Sequence, residues 1–115
     1  MTSNSVIDKR KYKRFAVDDK LNIKVRISYM GEEIICNLVD VSLGGAGLKS
    51  TRIPFSLINN TILVLEFICP THSFRTQAKV VYSHKDSNSP NHLRYGTEFS
   101  LAGNHDIVKI IETLH

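Results

Sequence analysis

The sequence predicts an all-β domain, an antiparallel barrel or sandwich, finished by one short helix. Three observations carry this expectation. Apolar and polar residues alternate strictly in several separate segments, these segments are short and divided by turn-rich stretches, and the period changes from two to helical spacing only at the C-terminal end. With no helical stretch between the strands, the crossovers of a parallel sheet have nothing to be built from. At 115 residues and 13.0 kDa the chain fits one domain, large enough to bury a single core without metal or disulfide staples.

The first element is the clearest. Leu21, Ile23, Val25, Ile27 and Tyr29 alternate with Asn22, Lys24, Arg26 and Ser28, as expected of a strand with one buried and one wet face. Met30 and Gly31 make a turn, and residues 34–41 (IICNLVDV) form a β-branched run that pairs back as a hairpin. A short strand is expected over residues 46–49, then a connecting loop over residues 51–61, where Pro54, Ser56 and two asparagines gather. Residues 61–69 (TILVLEFIC) read as the next strand, stopped by Pro70. In residues 74–83, Phe74, Thr76, Ala78, Val80 and Tyr82 are assigned inward, with Val81 out of pattern. Residues 84–91 (HKDSNSPN) read as a polar loop, and Leu93, Tyr95, Thr97 and Phe99 alternate in a last strand. Ile107, Ile110, Ile111 and Leu114 then fall at helical spacing behind Asn104, a good N-cap, and make a lid for the barrel more readily than a dimer contact.

Charge is unevenly spread. The net charge is +4, and Lys9, Arg10, Lys11, Lys13, Arg14 and Lys20 all precede the first strand. Residues 1–20 are therefore expected to be a flexible basic segment that favours an anionic partner, and residues 21–115 the folded domain. No secretory signal precedes the basic cluster and no apolar run reaches the length of a membrane span, so a cytoplasmic protein that does not insert into membranes is expected. Cys36 and Cys69 sit far apart in apolar runs, as small core residues of a reduced protein do.

Catalytic patterns fail. The five histidines, His72, His84, His92, His105 and His115, have neither the spacing nor the cysteine neighbours of a zinc site, so no metal is expected. Ser42 lacks the G-x-S-x-G elbow and its helix. Gly44 to Gly47 (GGAG) carries no lysine-serine pair and opens no helix, which excludes the phosphate loop and the dinucleotide fingerprint. No enzyme and no bound cofactor are expected. A tight turn needs one or two glycines; half of the chain's six stand in DVSLGGAGLKS, residues 40–50, beside an acid and a hydroxyl. That density suggests a backbone that something approaches closely.

Two motifs carry a resemblance. Arg10 and Arg14 form R-x-x-x-R within RKYKR, and Asp40, Ser42 and Gly45 form D-x-S-x-x-G within DVSLGG. In this order, in an all-β chain of this length, they resemble the PilZ domain family, bacterial receptors for cyclic di-GMP; YGTEF, Tyr95 to Phe99, resembles that family's closing strand. The resemblance covers the chain from about Lys9 onward and implies a six-stranded antiparallel barrel with a C-terminal helix. It implies that Arg10 and Arg14 clamp the ligand, because a guanidinium meets guanine O6 and N7 as a fork, stacks on bases and neutralises phosphate. Extended, the two arginines stand up to roughly 13 Å apart, a span suited to a two-base ligand.

It further implies that Asp40 accepts from guanine N1 and N2, that Ser42 bonds beside it, and that Gly45 leaves room. Lys9, Lys11, Lys13, Gly44 and Arg94 form a weaker candidate set, with Lys9 placed to influence whether one ligand or a stacked pair is held. The expected mechanism is a conformational change of the N-terminal segment over the ligand, read by a protein effector with a motility, exopolysaccharide or virulence output. Two rivals differ in class. A nucleic-acid-binding barrel shares the basic excess but calls for exposed aromatics, whereas Tyr29, Phe74, Tyr82, Tyr95 and Phe99 are assigned inward; a PilZ-like interaction module without ligand would not need both motifs.

Overall fold

Alternation in the sequence becomes seven strands: β1 (Phe15–Ala16), β2 (Lys24–Tyr29), β3 (Glu32–Val41), β4 (Gly45–Ser50), β5 (Ile62–Ile68), β6 (Ser73–Asp86) and β7 (Ser89–Phe99), followed by helix α1 (His105–Thr113). The structure, a computed structural model, describes residues 12–50 and 59–114, with the backbone alone at residues 86 and 89–91. All pairings are antiparallel, in the order β1-β3-β2-β5-β6-β7-β4, and β4 pairs back onto β3. That last pairing turns an open sheet into a closed six-stranded barrel, with β1 as an extra strand. β1 lies beside Asp40 and Val41, where β3 has run past the start of β2, so it covers a stretch of β3 edge that β2 leaves bare.

The inward residues are those the period selects. Val25 and Ile27 of β2, Leu63, Leu65 and Phe67 of β5, and Leu93, Tyr95 and Phe99 of β7 are buried in one cluster with Ile107, Ile110 and Ile111 of α1. Each such side chain stabilises the fold by about 1.5–3 kcal/mol relative to exposure. Phe67 stacks on Phe74 with ring centroids 4.9 Å apart. Asn104 caps α1, its side-chain oxygen accepting from the amides of Asp106 at 2.8 Å and Ile107 at 3.3 Å. One flank of the helix faces Phe15 and Leu43, the other Leu21, Ile23 and Cys69, so α1 lies across an end of the barrel as a lid.

Three expectations need correction. The first strand begins at Lys24, because Leu21 closes a 3-10 turn capped by Asp18 and Asn22 takes a left-handed φ of 54°. The stretch 84–91 is not a loop: β6 runs to Asp86 and β7 starts at Ser89, leaving a two-residue turn. A hairpin arm beyond the core has no buried face to enforce alternation, so its polarity imitates a loop. Tyr82, assigned inward, lies outside, because Val81 is the extra residue of a bulge between the pairs Val80↔Thr97 and Tyr82↔Gly96. Its ring covers Gly96 and stacks on His84 at 5.1 Å. The expected loop over 51–61 falls largely outside the described residues.

Cys36 and Cys69 are free thiols, one buried and one half-buried, in line with core packing. Burial pushes the Cys36 thiol from its ordinary 9.0 up to about 12, and burial, with the Cys36 thiolate behind it, pushes the Tyr95 hydroxyl from 10.0 up to about 12. Both shifts favour the neutral form in the fold, so their contribution to stability is complete below pH 9.0 and is lost as pH rises toward about 12. Urea titrations should therefore show stability falling between these limits and a shallower fall in Cys36→Ala; a flat or rising profile contradicts the burial of these groups.

A Cβ on Gly45 would be driven into the backbone carbonyl oxygen of Thr97 on β7, which has no flexible end to yield. Gly45→Ala should cost about 2 kcal/mol in urea unfolding. Gly44→Ala, which meets only the ring of Tyr12, should cost less.

Candidate ligand site

The segment DVSLGG forms the turn between β3 and β4, and its local chemistry is that of Ser42. Its Oγ accepts from the amides of Gly44 and Gly45, each at 3.1 Å, while the Ser42 amide donates to the Gly45 carbonyl at 2.8 Å. The turn is tied outward as well, since Phe99 donates to the Gly44 carbonyl at 2.8 Å and Gly103 to the Leu43 carbonyl at 3.0 Å. The end of β7 and the entry to α1 thus hold the turn from the other side.

Each glycine in the stretch answers to a different neighbour. Gly44 lies under the ring of Tyr12, Gly45 against the Thr97 carbonyl, and Gly47 under the carboxylate of Asp40, whose Oδ1 would be 2.6 Å from a Cβ there. Room is needed first for the protein's own groups.

Arg14 immediately precedes β1, and the pairs Phe15↔Val41 and Ala16↔Asp40 bring it beside the end of β3. Its Nη1 donates to Asp40 Oδ1 at 2.8 Å, with side chains 21% and 24% exposed. Its Nε is buried and, among the described residues, has no hydrogen-bond partner. A guanidinium has five donors in a fork, and a buried donor without an acceptor is costly.

Beside it opens a cleft of about 480 Å³ on the outer face of the barrel, walled by Tyr12, Arg14, the Ser42–Gly45 turn, Val81 and the strand end Thr97, Glu98 and Phe99, with Ser100 and Ala102. Val81 reaches it because it faces outward next to the buried Val80. Glu98 points outward between the buried Thr97 and Phe99 and pairs with Lys79 at 3.3 Å.

The fold thus brings Arg14, Asp40, Ser42, Gly44 and Gly45 together. Arg10, Lys9 and Lys11 lie outside the described residues. Lys13 is turned elsewhere, its Nζ 5.4 Å from the centroid of the Phe15 ring and beside the groove under α1. Arg94 stands on the outer face of β7, paired across to Lys49 and His84, and does not wall the cleft. Asp40 also stays off the cleft wall, held over Gly47 by Arg14. Sequence reasoning missed Tyr12 and Glu98. Both carried a signal, since Tyr12 stands between the two arginines and Glu98 within YGTEF.

A closed antiparallel barrel capped by a C-terminal helix, with a cleft outside between an arginine-bearing N-terminal segment and a serine-glycine turn, defines a class of small β-barrels. The chain belongs to the PilZ domain family, whose model matches residues 8–114. No curated protein matches the sequence. Among solved structures, the PilZ domain of YcgR from Escherichia coli, with c-di-GMP, aligns with a TM-score of 0.74 at 18% identity over 93% of this chain and 92% of that one. The Bacillus subtilis inhibitor of motility MotI/DgrA aligns at 0.72 and 22% identity over 93% of this chain and 49% of its own length. The MrkH-c-di-GMP complex of K. pneumonia gives 0.71 and 19% over 91% and 50%. The chain therefore spans about half the length of the latter two, and these likenesses show the fold.

The Arg14–Asp40 pair is sheltered enough to couple. A double-mutant cycle of Arg14→Ala and Asp40→Ala in urea should return an interaction of about 1 kcal/mol; additive single effects would mean the pair does not hold the segment to β3.

Proposed function

We propose that the protein is a receptor for cyclic di-GMP that passes the signal to a protein effector. The observation that carries this reading is the state of Arg14: one arm is anchored by Asp40 while a buried Nε beside an open cleft lacks an acceptor among the described residues. Family membership and the c-di-GMP in the YcgR and MrkH structures support the choice of ligand.

In this reading Arg10 and Arg14 grip phosphate and the O6/N7 edge of guanine, Asp40 holds Arg14 in its working rotamer, Ser42 shapes the amides of the turn, and Gly44 and Gly45 form a wall without side chains. Lys9 and Lys11 add attraction for the two phosphates. Arg14 stays anchored by Asp40, the segment that precedes it changes conformation as Arg10 closes on the ligand, and the effector reads the new surface. The outcome is binding, with no bond made or broken, in the cytoplasm where the messenger circulates; the output is motility, exopolysaccharide or virulence control. Similarity of fold to MotI/DgrA, an inhibitor of motility, favours the first.

Isothermal titration calorimetry decides it. The wild type should bind cyclic di-GMP saturably and ignore GTP, and Arg10→Ala with Arg14→Ala should weaken binding at least about tenfold while circular dichroism stays that of a folded barrel. Absence of binding by the folded wild type overturns the receptor reading. Trypsin cleavage within residues 9–14 should slow at saturating ligand; an unchanged rate contradicts the conformational step.

A further inference from the structure

We propose that Glu98 is the residue that makes the site selective for guanine, accepting from the N1–H and the N2 amino group of one base. The inference rests on the cyclic di-GMP reading and names the group that reads the base. Its starting point is a mismatch between motif and geometry. Asp40, the acid of D-x-S-x-x-G, already accepts from Arg14, lies over Gly47 and does not wall the cleft. Among the described residues, Glu98 is the one carboxylate on that wall and Arg14 the one cation.

The placement of Glu98 suits this task. Burial of Thr97 and Phe99 forces it outward, and its cross-strand neighbour on β4 is Gly45, which has no side chain to cover it. Its neighbour on β6, Lys79, holds it at 3.3 Å in a pair whose side chains are 42% and 59% exposed. Such an exposed pair is worth at most about 1 kcal/mol, so it orients the carboxylate yet exchanges easily for a better partner.

Chemistry then selects the base. A carboxylate beside a dianionic ligand is unfavourable unless it meets donors, and its two oxygens are acceptors only. Guanine presents two adjacent donors, N1–H and the N2 amino group, on one edge. Adenine presents a donor and an acceptor there, and its N1 lone pair would face the carboxylate. With Arg14 on the same cleft for phosphate or O6/N7, the cleft offers a guanylyl group both an acceptor and a donor.

The test exploits the difference between acid and amide. Glu98→Gln keeps shape but supplies one acceptor and one donor, a poor match to guanine and a good one to adenine. Calorimetry of wild type, Glu98→Gln and Lys79→Ala with cyclic di-GMP and cyclic di-AMP should give strong guanine preference in the wild type. Glu98→Gln should lose about tenfold or more toward cyclic di-GMP, with the preference narrowed because cyclic di-AMP is hurt less or helped. Lys79→Ala should keep the guanine preference. Unchanged preference in Glu98→Gln, whether affinity holds or falls equally for both ligands, overturns the assignment while leaving the receptor reading intact. Failure of the wild type to bind either dinucleotide overturns that reading and the assignment with it.

Discussion

The contact on which the structure depends is the approach of Gly45 to the Thr97 carbonyl. β4 is the strand that closes the barrel, pairing with β3 on one side and β7 on the other. At its first residue the two backbones come so close that only a glycine fits. Closure there draws the β3–β4 turn against the end of β7, and the hydrogen bonds from Phe99 and Gly103 to the turn carbonyls hold it. The cleft is the external consequence of that closure. Its walls are the two strand ends brought together, so the same constraint that completes the core also shapes the candidate site.

Electrostatics fills in what closure outlines. One arginine, carried by a two-residue strand onto the end of β3, is anchored at one arm by Asp40 and left with a buried donor unmet among the described residues. Such a group is preorganised: its position is fixed before any ligand arrives, and less ordering entropy opposes binding. The glycines under Asp40 and Tyr12 contribute to the same end, since they let the carboxylate and the ring lie flat and hold the segment from Tyr12 to Ala16 close to the barrel.

Much of this was legible in the sequence, for physical reasons. Wherever a strand has one face in the core, as with Val25, Ile27, Leu93, Tyr95 and Phe99, alternation follows burial and the strand can be read. The helix from Asn104 was legible through its cap and its isoleucines. Reading failed where burial stops constraining the residues: the polar arm of β6 and β7 past His84 looked like loop, and a single bulge at Val81 sent Tyr82 to the other face. For the site, Arg14, Asp40, Ser42 and Gly45 were placed together by motif. The division of labour among them was not, because whether Asp40 faces a ligand or an arginine depends on the pairing of β1 with β3, which spacing alone does not encode. Glu98 went unnoticed for the same reason, as it enters the cleft only through the register of β7 against β4.

The most direct test is a map of where the ligand sits. In a titration of ¹⁵N-labelled protein with cyclic di-GMP, amide shift changes should concentrate at Arg14, Ser42, Gly44, Gly45, Val81 and Glu98, with Arg26 and Glu66, paired on the outer face of β2 and β5, unmoved. Saturable shifts centred instead on the outer face of β2 and β5 would contradict a ligand site at the β3–β4 turn.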